Sequence, residues 1–343
     1  MVSAFPLEIL QVSGSNYEIG SEIGSHFKAK ISNFIKSSES FNEAREVIDD
    51  SKYKKVLEIA NRHFPPYMDE IRGISDGSGV DYEDLVLLNF KYEIPRIFCS
   101  TITSKVGDKI VLGHNEDGER VNEENAFLLI AKPLAGTTFF AYCYPGMIPG
   151  NAFSFNSHGL VMTGNYMPTP DPRIGVPRHL IDRSMLEAAS IDGALERALQ
   201  PERASGFSYN LISLKERRAV NLETTSQRYH VSEISDRFFH TNHYVSTGLG
   251  GIGQRIGASS NIRYGQGVKM MSELVEASEK NILEILFSTA NEPYSIYASG
   301  GPGCSWTLCT AIFRVKDDVL LTIYARKERN CEPVTFSSSI FER

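Results

Sequence analysis

The feature that most constrains this chain is a change of texture at Pro95. Before it, apolar residues recur at helical spacing. After it come short runs rich in β-branched and aromatic residues, at 97–103, 109–115, 127–131, 137–144 and 152–166, separated by Gly, Pro or Asp turns. The connections are too short for crossover helices, so these runs are expected to pair as an antiparallel meander.

On the helical side, Ser15 and Glu18 form a capping-box pattern, followed by Ile19, Ile23, Phe27, Ile31 and Ile35 on one face. Gly20 and Gly24, one residue after two of these positions, either admit a close neighbour or are simply tolerated. Residues 38–50 are polar and read as helical or irregular. Further helices are expected up to Pro65-Pro66, then around Tyr67, Met68, Ile71 and Ile74 with closure at Gly77-Ser78-Gly79, then after Asp81. Past the meander, Pro177 introduces a helix over 180–199. Strands are expected at 207–214, 219–224 and 228–231, helices at 268–279 and 282–287, and two last strands at 306–315 and 319–325. No repeat or linker divides the chain. The succession fits one α+β domain over 1–343, with two antiparallel sheets and helices outside.

Composition excludes several function classes. The chain has 35 basic and 42 acidic residues, a formal charge of -7, which gives no electrostatic footprint for nucleic acid or anionic membrane. No apolar run approaches the ~20 residues of a membrane span. The start, Met1-Val2-Ser3-Ala4-Phe5-Pro6, lacks a secretory pattern. Five cysteines (Cys99, Cys143, Cys304, Cys309 and Cys331) make neither a disulfide framework nor a zinc spacing, and point to a reducing, cytoplasmic setting. His240 and His243, three apart on an expected strand, face opposite sides and have no carboxylate completing a metal motif, so neither metal nor cofactor is expected.

The first two runs after Pro95 form a hairpin. One strand begins at Cys99 and the other ends in Gly113-His114-Asn115-Glu116-Asp117, which brings a thiol near a polar cluster. From these residues alone, Cys99 is either a small buried hydrophobe or a nucleophile, with His114 the one histidine able to reach it across the hairpin.

Taken in order, Ile19 to His26, Tyr67 to Asn89, the Cys99 hairpin, Asn156-Ser157-His158-Gly159-Leu160, His240-Thr241-Asn242-His243 and Ser259-Ser260-Asn261-Ile262-Arg263 span nearly the whole chain. This combination resembles the autoproteolytic acyltransferase/hydrolase family of isopenicillin N acyltransferase type, within the N-terminal-nucleophile hydrolases. The resemblance implies a four-layer αββα sandwich of two antiparallel sheets. It also implies a cut at Phe98-Cys99 into 1–98 and 99–343, after which the freed α-amino group of Cys99 activates its own thiol. An α-amino group has a reference pKa near 7.7–8.0, so no histidine is required. By the same resemblance, Asp117 orients the amine, Asn242 stabilises the oxyanion, Arg263 steadies Asp117 or the thiol, and Asn165 adds a polar contact.

Pocket specificity is expected on loops 144–150 and 165–175, with His114, Tyr144 and Tyr166 as substrate-contacting residues. Two departures bear on transfer. Phe98 stands where the family often has Gly, and His114 where amidase relatives commonly have Arg. The expected partner is a small-molecule amide or acyl-thioester, converted through an S-acyl intermediate, and association into homo-oligomers is compatible with the sequence. Two alternatives stay open: an unprocessed, non-catalytic protein binding an acyl or peptide ligand, and an ordinary thiol hydrolase using Cys99 and His114.

Overall fold

Ser15 closes a reciprocal capping box with Glu18 at the start of the first helix, and chain order then follows the expected texture. The computed structural model describes residues 5–90, 99–276, 278–300, 305–326 and 330–342. Strand β1 (Glu8–Gly14) precedes six helices: α1 (Asn16–His26), α2 (Lys28–Ser37), α3 (Glu39–Val47), α4 (Asp50–His63), α5 (Pro65–Ser78) and α6 (Tyr82–Phe90). Next come β2 (Ser100–Val106), β3 (Lys109–Gly118), α7 (Asn122–Asn125), β4 (Phe127–Pro133), β5 (Phe139–Cys143), β6 (Ser154–Asn156) and β7 (Leu160–Tyr166). Helices α8 (Arg178–Met185) and α9 (Ile191–Ala198) lead to β8 (Phe207–Ser213), β9 (Arg218–Thr224), β10 (Tyr229–Glu233) and β11 (Arg237–His240). The chain continues through α10 (Ala258–Ser272), α11 (Glu279–Leu286), β12 (Trp306–Val315), β13 (Val319–Ala325) and β14 (Val334–Ser337).

The strands form two sheets, β1-β4-β5-β6-β7-β8-β9-β10 and β11-β2-β3-β12-β13-β14. Their inner faces meet through aromatic rings: Phe313 lies 6.3 Å from Phe153 and 6.2 Å from Phe155, and Phe140 lies 4.9 Å from Phe336. Outside the larger sheet, Phe27 of the α1–α2 junction stacks on Phe127, and Arg183 of α8 lies over Phe139. Outside the smaller one, Ile282 and Leu286 of α11 pack with Ile102, Val111 and Ile312. The layers therefore run αββα, the architecture implied by the resemblance.

Several local expectations are corrected. The larger sheet is mixed: β1 pairs with β4 in parallel, because six helices and the β2–β3 hairpin carry the chain back in the same direction before β4 begins. The apolar stripe from Ile19 to Ile35 belongs to two helices that break at Phe27. The 152–166 run is two strands turned at Ser157-His158-Gly159. There Asn156 Oδ1 accepts from the peptide N–H groups of His158 and Leu160, at 3.0 and 3.2 Å. The same side chain donates to the carbonyls of Leu186 and Ala188, in the gap that splits the expected 180–199 helix into α8 and α9. The family-like motif at 156–160 is thus a structural clasp. Helix α10 begins ten residues before the expected 268, β14 adds a strand, and Pro95 and Tyr92 lie outside the described residues.

Gly20 and Gly24 do admit a close neighbour. A Cβ on Gly20 would sit 2.0 Å from the carbonyl oxygen of Glu70, and one on Gly73 would sit 2.1 Å from that of Tyr17, so α1 and α5 touch backbone to backbone. A rigid carbonyl cannot yield as a side chain can. Gly20→Ala is expected to lower stability by about 3 kcal/mol or more, read as a drop in the urea midpoint. A midpoint within error of the wild type would show that the two helices can separate freely.

Candidate active site

Cys99 sits immediately before β2, with 2% of its surface exposed. The β2–β3 register pairs Ser100 with Asn115 and Thr101 with His114, so the end of β3 runs alongside the start of β2. The peptide N–H of Cys99 donates to Asn242 Oδ1 at 3.2 Å. The peptide N–H of Asp117 donates to the Cys99 sulfur.

Arg263 lies one turn into α10, held against this point. It donates to the Cys99 carbonyl (2.8 Å), Ser100 Oγ (2.8 Å), Asn242 Oδ1 (2.7 Å) and Ser259 Oγ (3.1 Å). The helix can come this close because Gly267, a turn further on, leaves room for the Phe239 ring: a Cβ there would meet it at 2.2 Å. Two distant motifs clasp each other here. Ser260 Oγ accepts from the Asn242 peptide N–H at 2.8 Å and also bonds Thr241 and His243. Glu223 accepts from the N–H groups of Val245 and Ser246 and pairs with His240 at 2.8 Å, fixing the other side of the Asn242 loop. Burial, with His240 nearby, pushes His243 down to about 4.

The structure thus brings Cys99, Asp117, Asn242 and Arg263 together. Asn242 presents its carbonyl oxygen toward Cys99, while its Nδ2 donates to the Tyr166 carbonyl at 2.9 Å, leaving one amide hydrogen. Asn165 is one layer removed: its Oδ1 accepts from Thr101 Oγ1 at 2.8 Å and from Asn210 at 3.1 Å. His114 and Tyr144 are buried and contact Glu116. His114 Nε2 lies 3.1 Å from one carboxylate oxygen, and the Tyr144 hydroxyl donates to the other. Tyr166 contributes its main chain to holding Asn242. Phe98 lies outside the described residues.

Charges are balanced closely. Burial pushes the Cys99 thiol well above its usual value, and the Glu116 and Asp117 carboxylates add to this. The Asp117 N–H and the Arg263 guanidinium oppose it. Burial likewise raises Asp117 to about 7, against Arg263 and the Thr307 hydroxyl, which donates to Oδ1 at 2.6 Å. Asp117 Oδ2 is buried with no hydrogen-bond partner among the described residues.

Sequence reasoning missed Glu116, Thr101, Ser260 and Glu223. Glu116 adjoins the Asp117 motif and could have been flagged; the others are recognisable only through long-range pairing. Four cysteines, Cys99, Cys143, Cys309 and Cys331, are free, and Cys304 lies outside the described residues. No described helix is long and apolar enough to cross a membrane.

A buried thiol thus heads an inner strand of the αββα sandwich, framed by Asp117, Asn242 and Arg263. Comparison with known proteins gives the family. Residues 104–329 match the model of the acyl-coenzyme A:6-aminopenicillanic acid acyl-transferase family, and the chain belongs to that family. The match includes Asp117, Asn165, Asn242 and Arg263, and begins five residues after Cys99.

Among curated relatives, the chain is 28% identical over 214 residues to a β-alanyl-dopamine/carcinine hydrolase of Drosophila melanogaster. The match covers 54% of this chain and 55% of that protein, so it spans about half the relative's length. It is 24% identical over 242 residues to the 40 kDa form of acyl-coenzyme A:6-aminopenicillanic-acid-acyltransferase of Emericella nidulans, covering 67% of each. Two variant structures of conjugated bile acid hydrolase from Clostridium perfringens align at TM-scores of 0.42 and 0.47. Their identities are 10% and 9%, and they cover 69% and 71% of this chain and 96% and 93% of theirs.

Proposed function

We propose that this chain is a cysteine N-terminal-nucleophile amidohydrolase or acyltransferase, one unit that cuts itself between Phe98 and Cys99 and then acts on small linear amides. The observation that carries this reading is the setting of the Cys99 nitrogen. Its N–H already points at Asn242 Oδ1, and Asp117, whose charge acts on the Cys99 thiol, holds a buried carboxylate oxygen without a hydrogen-bond partner among the described residues. A cation released at that nitrogen would supply the missing charge and donors.

The chemistry follows in order. The Cys99 sulfur attacks the Phe98 carbonyl, the C–N bond breaks, and the nitrogen takes the proton. That break frees the α-amino group of Cys99; water then opens the thioester, which releases the Phe98 carboxylate and returns the thiol. That amine, neutral near its reference pKa, removes the thiol proton for attack on an external amide. The substrate's acyl group transfers to sulfur and its amine departs with the proton. Water or a second amine completes the cycle. Before the cut the nitrogen is an amide with no basic lone pair, and the thiol stays protonated. The uncut chain is therefore inert.

Beta-alanyl amines, named in one relative, and acyl-coenzyme A thioesters, named in the other, are the first substrates to try. Intact-mass analysis of freshly made protein tests the reading. Two chains are expected, split between residues 98 and 99, with one acyl adduct on the larger chain after brief exposure to a β-alanyl amide. A wild type that stays whole while turning amides over sinks the self-cleavage mechanism. A whole chain with no turnover and no adduct leaves the alternative of a non-catalytic ligand-binding protein, which the high, protonated state of the Cys99 thiol favours.

A further inference from the structure

The sequence suggested no metal ligands, yet the fold collects three around the nucleophile. One ligand atom each from Cys99, His114 and Glu116 lies within 4.8 Å of the others, and all three side chains are buried. We propose that these residues form a binding site for a borderline divalent ion such as Zn²⁺, which caps the nucleophile reversibly.

The surroundings are those of a prepared site. The Thr101 hydroxyl donates to Asn165 Oδ1, so its oxygen accepts from His114 Nδ1 at 2.8 Å, which leaves Nε2 as the free ligand position. Nε2 faces Glu116 Oε2 at 3.1 Å, while Glu116 Oε1 is occupied by the Tyr144 hydroxyl. Both candidate ligands therefore have an outer partner fixing their orientation, as metal-bound His and carboxylate groups generally do. A hydrogen bond between Nε2 and Oε2 requires one shared proton, and an ion would take that proton's place.

The atoms and charges balance. Binding releases the shared proton and the thiol proton. A thiolate, a neutral imidazole and a carboxylate then carry two negative charges against the ion's two positive ones. Zn–S and Zn–N lengths of about 2.3 and 2.0 Å set ligand atoms about 3.3–3.5 Å apart, so the His114–Glu116 pair opens slightly while the sulfur moves in, and a fourth position is left for water. Mixed S, N and O donors suit Zn²⁺ or Co²⁺ better than Mg²⁺ or Ca²⁺. A sulfur held by metal cannot attack a carbonyl, so bound ion and acyl chemistry exclude each other.

The test uses metal-stripped full-length protein titrated with Co²⁺ or Zn²⁺ alone. One Co²⁺ per chain is expected, with a thiolate-to-cobalt charge-transfer absorption that Zn²⁺ abolishes by displacement and that Cys99→Ala lacks. His114→Gln and Glu116→Gln should each weaken Zn²⁺ binding by tenfold or more. Tyr144→Phe, which removes only the outer hydroxyl, should weaken it about tenfold. If His114→Gln does not fold, as judged by near-ultraviolet circular dichroism, Tyr144→Phe and Glu116→Asp carry the comparison. Bound Zn²⁺ should also slow iodoacetamide labelling of Cys99 at least tenfold and leave Cys331 unaffected. Cobalt without thiolate absorption, or equal affinity in the folded variants, reduces the site to a lone thiol and overturns the proposal. These readouts need no turnover, so their failure leaves the acyl-transfer reading standing.

Discussion

Arg263→Ala is expected to lower the folding free energy by about 3–5 kcal/mol, seen as an earlier urea midpoint, and to abolish self-cleavage. Arg263 is 1% exposed and bonds groups from three separate segments: Cys99 and Ser100 at the start of β2, Asn242 after β11, and Ser259 on its own helix. Removing it takes a donor from the buried Cys99 carbonyl and Ser100 Oγ, leaves Asn242 Oδ1 with only the Cys99 N–H, and takes away the main positive charge opposing the burial of Asp117. Loss of one partner from a buried charged cluster costs far more than loss of a surface ion pair, because the remaining groups cannot turn to water. Arg263→Lys separates the two contributions. A single ammonium keeps the charge near Asp117 but cannot reach four acceptors with the geometry of a planar fork. The lysine variant should therefore recover part of the stability and little of the cleavage. An alanine variant that unfolds within about 0.5 kcal/mol of the wild type would mean the clasp is not made in solution.

How much of this could be read from the chain follows from which forces are local. Helix starts such as Ser15 and strand pairs such as β12–β13 rest on side-chain spacing and short turns, and they appear where the sequence places them. The β1–β4 pairing is parallel and joins residues more than a hundred positions apart, so no local pattern announces it. Strand β3 is buried at every position after Lys109, because sheet and helix cover both faces, and the alternation that would reveal its orientation is absent. At the site, Cys99, Asp117, Asn242 and Arg263 were legible only as an ordered set of short motifs. Spacing alone left Cys99 between a core residue and a nucleophile. Helix α10 explains why Arg263 was hard to place: Gly265 and Gly267 weaken the helical signal around it, yet Gly267 is what lets the helix approach Phe239. The Ser260 and Glu223 contacts arise only when two distant loops meet, and no spacing rule contains them.

Asp117→Asn should separate stability from activity, with opposite signs. The wild-type carboxyl is raised from 3.8 to about 7, chiefly by burial, so between those values the folded uncut chain binds a proton that the unfolded chain has lost. Stability supplied by this group is therefore full below pH 4 and falls as pH rises through 7, a change on the order of 4 kcal/mol. A Cys99→Ala chain cannot be cut, and in that background Asp117→Asn should remove most of this slope. The double variant gains on the single one between pH 4 and pH 8, whatever offset the new amide adds at both. In the otherwise wild-type chain the same substitution should cost about 10²–10⁴-fold in turnover, because the amine that acts as base loses its charged partner. On the proposed reading cleavage would reverse the electrostatics: an α-ammonium on Cys99 near Asp117 would favour the carboxylate, so the group that destabilises the uncut chain at neutral pH would stabilise the cut one. Urea midpoints of the two alanine-background chains at pH 4 and pH 8, with turnover of the two cleavable ones, measure both effects. An unchanged midpoint difference across that range, or wild-type turnover by Asp117→Asn, would place Asp117 outside the chemistry.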